Sequence, residues 1–85
     1  MNYPAGLHVK ATKVEIYLGR SSNVKIGSVF LGRLHFDIFP GKKLVIKDVR
    51  NQTLLETSEI TRIVETEAGE WIVNTKTSAY LVQQC

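Results

Sequence analysis

The chain alternates apolar and polar residues in short runs, and turn-forming residues interrupt each run after about 5–10 positions. A period of two puts successive side chains on opposite faces of an extended backbone, so such runs suit half-buried strands and not helices. Lys13 to Leu18 is the clearest example, with Val14, Ile16 and Leu18 on one face and Glu15 and Tyr17 on the other. Lys43 to Val49 sets Leu44 and Ile46 against Val45, Lys47 and Val49. Both of its faces are apolar, as in a central strand.

Residues 53–56, 60–66, 71–76 and 79–83 supply further strands. Alternation over 60–66 is imperfect, which predicts a bulge, or a short helical turn starting at Ser58. Between Val24 and Phe39, Val29-Phe30-Leu31 reads as a short buried strand, followed by Leu34, Phe36 and Ile38 on one inward parity. Gly32 makes this two short strands, or one strand bent at the glycine, with a helix as the runner-up that the glycines and the β-branched and aromatic content argue against. Turns are expected at Gly19-Arg20-Ser21-Ser22-Asn23, Arg50-Asn51-Gln52 and Glu67-Ala68-Gly69-Glu70. Phe39-Pro40-Gly41-Lys42 has the proline and glycine that a type II turn requires. Pro4 and Gly6 make residues 1–9 a loose lead-in.

The expected fold over residues 1–85 is all-β: a small single-domain antiparallel barrel or sandwich, SH3-like or a close variant. Closure would remove the strand edges that otherwise invite aggregation. The 85 residues suit one domain, and a hydrophobic share of 44% argues against disorder. Cys85 is the lone cysteine, so no intrachain disulfide forms. Secreted domains of this size usually carry several bridges, which favours a cytoplasmic setting. No basic start leads into an apolar stretch at the N-terminus, and no apolar run reaches the roughly 20 residues needed to cross a bilayer, so no membrane partner is expected.

The net charge of +3 is unevenly distributed. Residues 1–50 hold nine Lys/Arg against Glu15, Asp37 and Asp48, a balance of +6. Residues 51–85 hold Arg62 and Lys76 against Glu56, Glu59, Glu65, Glu67 and Glu70, a balance of −3. Either the two halves attract each other, within the fold or across a dimer, or the first half presents a basic face to an acidic partner.

Two hydroxyl pairs echo each other, Thr57-Ser58 and Thr77-Ser78. Each is expected to satisfy backbone groups where a strand ends, with an anion-binding hydroxyl cluster as the alternative. Gly41-Lys42-Lys43-Leu44, then Thr57-Ser58-x-Ile60, then Ile72-x-x-Thr75-x-x-Ser78-x-Tyr80 resembles a pattern in small uncharacterised bacterial and phage-borne β-domain proteins. The match spans residues 40–82. Those proteins more often have Pro and Val after the Thr-Ser, where this chain has Glu59 and Ile60. The resemblance implies a fold and a mobile-element or gene-cassette setting, and it brings no catalytic residue.

Enzymatic groupings are weak. His8 and His35 with one cysteine do not make a zinc site of recognisable spacing. His35-x-Asp37 places an imidazole and a carboxylate two residues apart, but no nucleophile accompanies them. Gly27 and Gly32 lack the Gly-Lys-Ser/Thr of a phosphate loop. No catalysis, cofactor or metal is expected.

The expected role is therefore that of an accessory module acting by protein–protein contact through an exposed strand edge, with an isologous homodimer as one product. The alternative is a small barrel that binds single-stranded nucleic acid with its basic first half, where Tyr17, Phe30, Phe36 and Phe39 interleave with the cations. Either partner would be contacted by Arg20, Lys25, Arg33, Lys42, Lys43, Lys47, Arg50 and Trp71. Trp71 is read as an interface anchor or a core plug.

Overall fold

The computed structural model describes residues 4–16 and 25–85. Six strands follow one another: β1 (His8–Ile16), β2 (Val29–Leu34), β3 (Lys43–Lys47), β4 (Thr53–Glu65), β5 (Trp71–Thr75) and β6 (Ser78–Gln84). Each pairs antiparallel with the next, and β6 returns to β1, closing a barrel of the small SH3-like kind. No helix occurs among the described residues.

Closure depends on one long strand. β4 runs for 13 residues, pairing with β3 through its first half and with β5 through its second. Three register shifts bend it. One of them places Thr57 and Ser58 opposite Leu44, and there the Thr57 hydroxyl accepts the Leu44 N–H at 3.0 Å and donates to the Ser58 carbonyl at 2.8 Å. The first hydroxyl pair thus does satisfy backbone groups, but at a bend inside a strand and not at a strand end. The shift between Ile60 and Arg62 is the bulge expected over 60–66.

At the β5–β6 turn the capping side chain is Thr75. Its hydroxyl accepts the N–H of Thr77 (3.4 Å) and of Ser78 (3.2 Å) and donates to the Ser78 carbonyl (3.2 Å). Ser78, fully buried, opens β6. The Phe39–Lys42 turn has the expected form, with Gly41 at φ 92° and the Lys42 N–H on the Phe39 carbonyl. Gly69 at φ 78° makes the β4–β5 turn.

Val9, Ala11, Leu34, Ile38, Leu44, Ile46, Leu55, Ile60, Trp71, Val73, Tyr80 and Val82 fill the core. Trp71 is a core plug, its indole N–H on a Glu65 carboxylate oxygen at 3.2 Å, so it is withdrawn from the expected contact residues. His8 and Val9 belong to β1 and not to a lead-in, and Val9 is fully buried. The alternation expected for Lys13–Leu18 breaks at Val14: Lys13 is buried with Val9 and Ala11 and Val14 is exposed, whereas Glu15 is exposed and Ile16 half-buried as expected. The cause is a register shift between Lys13 and Glu15, which makes Val14 the extra residue. Tyr17, Leu18 and the Gly19–Asn23 turn lie outside the described residues.

β2 is a single strand through Gly32, and Val29 and Leu31 on it are exposed instead of buried. Gly32 faces inward where β3 crosses. A Cβ there would lie 2.5 Å from the Lys47 carbonyl oxygen and 2.8 Å from Ile46 Cγ2. The Lys13 side chain is fully buried, its ammonium 5.8 Å from the centre of the Tyr80 ring. Burial holds the Lys13 pKa below that of an exposed lysine. It also raises the Tyr80 phenol above its usual value, against the opposing effect of a hydrogen bond with Ser78.

Candidate functional site

Cross-strand register gathers the cations. His8 on β1 stands opposite Arg33 on β2, and Arg33 stands opposite Lys47 on β3, all on the outer face. The Arg33 Nε–H donates to His8 Nε2 at 3.0 Å. Three shallow depressions adjoin along this row, and Lys47 lines all of them. The largest, about 340 Å³, runs beside His35, Phe36, Lys43 and Thr53. The other two continue past Arg33 to Leu31 and Val49.

One end of this groove carries the β2–β3 connection. β2 ends at Leu34, and the chain from His35 to Phe39 is irregular, so strand parity no longer sorts its side chains. Leu34 and Ile38 turn inward, while Phe36 is 37% exposed and Phe39 44% exposed. The Lys42 ammonium lies 5.1 Å from the Phe36 ring centre and 5.4 Å from that of Phe39. Both distances are within cation–π range. His35 packs edge-on against Phe36, with ring centres 4.6 Å apart. Strand alternation places Phe36 in the core, but β2 stops two residues before it, at Leu34, and the ring faces outward.

The groove keeps a net positive charge because Arg33, Lys43 and Lys47 in its lining outnumber Asp48 and Glu56. The Asp48 carboxylate accepts the N–H groups of Arg50 (2.8 Å) and Gln52 (2.9 Å), an arrangement that makes the β3–β4 turn. Glu56 meets Lys43 at 3.3 Å, with both side chains half exposed. Between described residues this is the one ion pair that joins the basic first half to the acidic second half; Lys76–Glu59, at 3.8 Å, lies within the second. Charge attraction between the halves is thus a small part of the described fold, and an exposed pair of this kind stabilises little.

Of the residues expected to meet a partner, Arg33, Lys42, Lys43 and Lys47 come together here, and Arg50 flanks them on the β3–β4 turn. Lys25 stands before β2, at the opposite end of that strand from Arg33. Arg20 lies outside the described residues. Asp37 is not paired with His35: its carboxylate accepts the Ala5 N–H at 2.7 Å. Among the described residues no three His, Cys, Asp or Glu side chains gather as a metal site would need, and no helix is long and apolar enough to cross a membrane. Comparison with known proteins returned no matching family model, no matching curated protein and no matching solved structure.

Proposed function

We propose that this chain is a non-catalytic binding module that holds single-stranded nucleic acid in the groove centred on Lys47. The observation that carries the reading is a shallow track lined by Arg33, Phe36, Lys43 and Lys47, beside which Lys42 sits over the half-exposed rings of both Phe36 and Phe39. Bases stack on exposed aromatic faces without regard to sequence, and phosphates follow the cations. A flat, open track suits a strand better than a small substrate, which needs an enclosing pocket. By the resemblance over residues 40–82, the setting we propose is a mobile element, with the protein acting in the cytoplasm.

Fluorescence anisotropy with a labelled oligothymidine tests this reading. Four phosphate-neutralising cations on a single strand predict that log K falls with log salt with a slope of about 3. Lys47→Ala reduces that slope by about 1, and Phe39→Ala weakens binding by about 1–3 kcal/mol. No binding at low salt overturns the reading. Binding to polyglutamate as tight as to the oligonucleotide, and indifferent to Phe39, would assign the groove to an acidic protein partner.

A further inference from the structure

The barrel is closed, but two stretches of strand lack a neighbour on one side among the described residues. β3 pairs with β2 only at Arg33 and Leu34. Lys13 N–H reaches the Ser28 carbonyl and Leu34 N–H the Leu7 carbonyl, so the even-numbered residues of β2 bond towards β1. The N–H and C=O groups of Val29 and Leu31 therefore point the other way, where no strand of the described residues pairs with them. On β4, pairing with β3 reaches Glu59, and Ile60 exchanges bonds with Gly41 and Lys42. Thr66 N–H bonds to the Glu70 carbonyl, so Val64 and Arg62 bond towards β5 and the backbone of Ile63 faces away.

These two stretches are the two edges of one curved sheet, β4–β5–β6–β1–β2. Cross-strand register threads a single outer row through it: Val64, Ile72, Leu81, Thr12, Val29. The row is apolar except at Thr12, and its ends are exposed, Val64 at 39% and Val29 at 48%, with Leu31 at 60% beside the latter. A long bare edge is usually blunted by charge or proline. Here the bare β2 stretch carries neither at Val29 or Leu31, while the bare β4 stretch carries Arg62 and Glu65 on either side of Ile63 and Val64.

We infer that this chain self-associates head to tail, the β2 edge of one copy joining the β4 edge of the next so that the sheet and its apolar row continue across the contact. Charge selects this pairing. Residues 25–31 carry Lys25 and no acid, whereas residues 61–70 carry Glu65, Glu67 and Glu70 against Arg62. A two-fold contact between two β2 edges would bring the cations of both copies together, and like charges across strands oppose pairing. A heterologous contact puts the basic edge against the acidic one and propagates until it closes as a ring or continues as a filament. The inference is independent of the nucleic-acid reading.

Sedimentation velocity over a wide concentration range at low salt reads it out, with Leu31→Glu blocking the β2 edge and Val64→Lys the β4 edge. Both side chains are exposed, and an unchanged circular dichroism spectrum checks that each variant folds. Leu31→Pro is a second block on β2, because the N–H it removes points away from β1. The expected result is wild-type species larger than a dimer, each variant monomeric alone, and an equimolar mixture of Leu31→Glu and Val64→Lys forming a dimer, since each retains the edge the other lacks. A wild type that stays monomeric throughout overturns the inference. So does a dimer that Val64→Lys leaves intact, which would be the two-fold β2 contact.

Discussion

At the β2–β3 crossing, Gly32 presents no side chain to a carbonyl oxygen that would stand 2.5 Å from its Cβ. At the β5–β6 turn, Thr75 places a buried hydroxyl whose bonds go to the backbone of Thr77 and Ser78. Both places let a short strand turn sharply enough for six strands to close. One does so by leaving atoms out, the other by supplying donors and acceptors that the bent ladder has lost. The corner made by absence is also the one that lies beneath the groove: Gly32 sits between Leu31 and Arg33, against the carbonyl of Lys47.

Filling the first corner is expected to have the largest effect. Gly32→Ala places a methyl group against main chain and not against a flexible side-chain end, so β2 and β3 must separate. Overpacking of that kind costs about 3 kcal/mol. Net stability for a chain of this length is on the order of 4–12 kcal/mol. Urea unfolding monitored by Trp71 fluorescence measures the loss. A Gly32→Ala protein as stable as the wild type would show that the crossing is looser than its geometry indicates.

Removing hydroxyls tests the other corner. Thr75→Val keeps the shape and leaves the buried N–H of Ser78 without its acceptor, which costs about 1–3 kcal/mol. Thr57→Val removes the acceptor of the Leu44 N–H at the bend in β4 and is expected to cost less, about 1 kcal/mol. Thr57 lies nearer the surface, where water can replace the lost partner. If Thr57→Val proved the more damaging of the two, the hydroxyl corner would be the bend in β4 and not the hairpin.

These corners differ in how far the sequence announces them. Thr57-Ser58 and Thr77-Ser78 stand out as an echo because hydroxyls beside apolar runs have few other uses, and the strands on either side follow from alternation. Even so, the echo misplaces the work, since Thr75 caps the turn and Thr57 lies in mid-strand. Gly32 reads only as an interruption, because nothing local says which strand will cross it. The broken alternation of β1 has a related cause: a single extra residue, Val14, sets the residues before it on the opposite parity to Glu15 and Ile16, and a bulge is set by pairing with β6. Four of the site cations were legible as a basic first half with interleaved aromatics. Their convergence on Lys47 was not, since it depends on the register of three strands. Phe36 was lost to the core because a period of two was carried beyond Leu34, where the strand ends.

The smallest expected effect concerns protonation behind the hydroxyl corner. Tyr80 follows Ser78 on the same inward face, and burial raises its phenol above the ordinary value of 10.0. The unfolded chain then loses this proton before the folded one does, so the folded state holds more protons at pH values above about 10. Tyr80 contributes stability that is fully present below the unfolded pKa and lost as pH rises through the folded one. Lys13 works in the opposite direction: its pKa falls on folding, so the cost of burying its charge is relieved as pH rises towards 10.5. The two slopes oppose each other, and single variants separate them. Tyr80→Phe should flatten the alkaline decline in urea midpoint, and Lys13→Met should steepen the net decline by removing the relief. A phenol that titrates by ultraviolet absorbance alongside free tyrosine would mean that water enters the barrel at Ser78, and the hydroxyl corner would then be open where the glycine corner is shut.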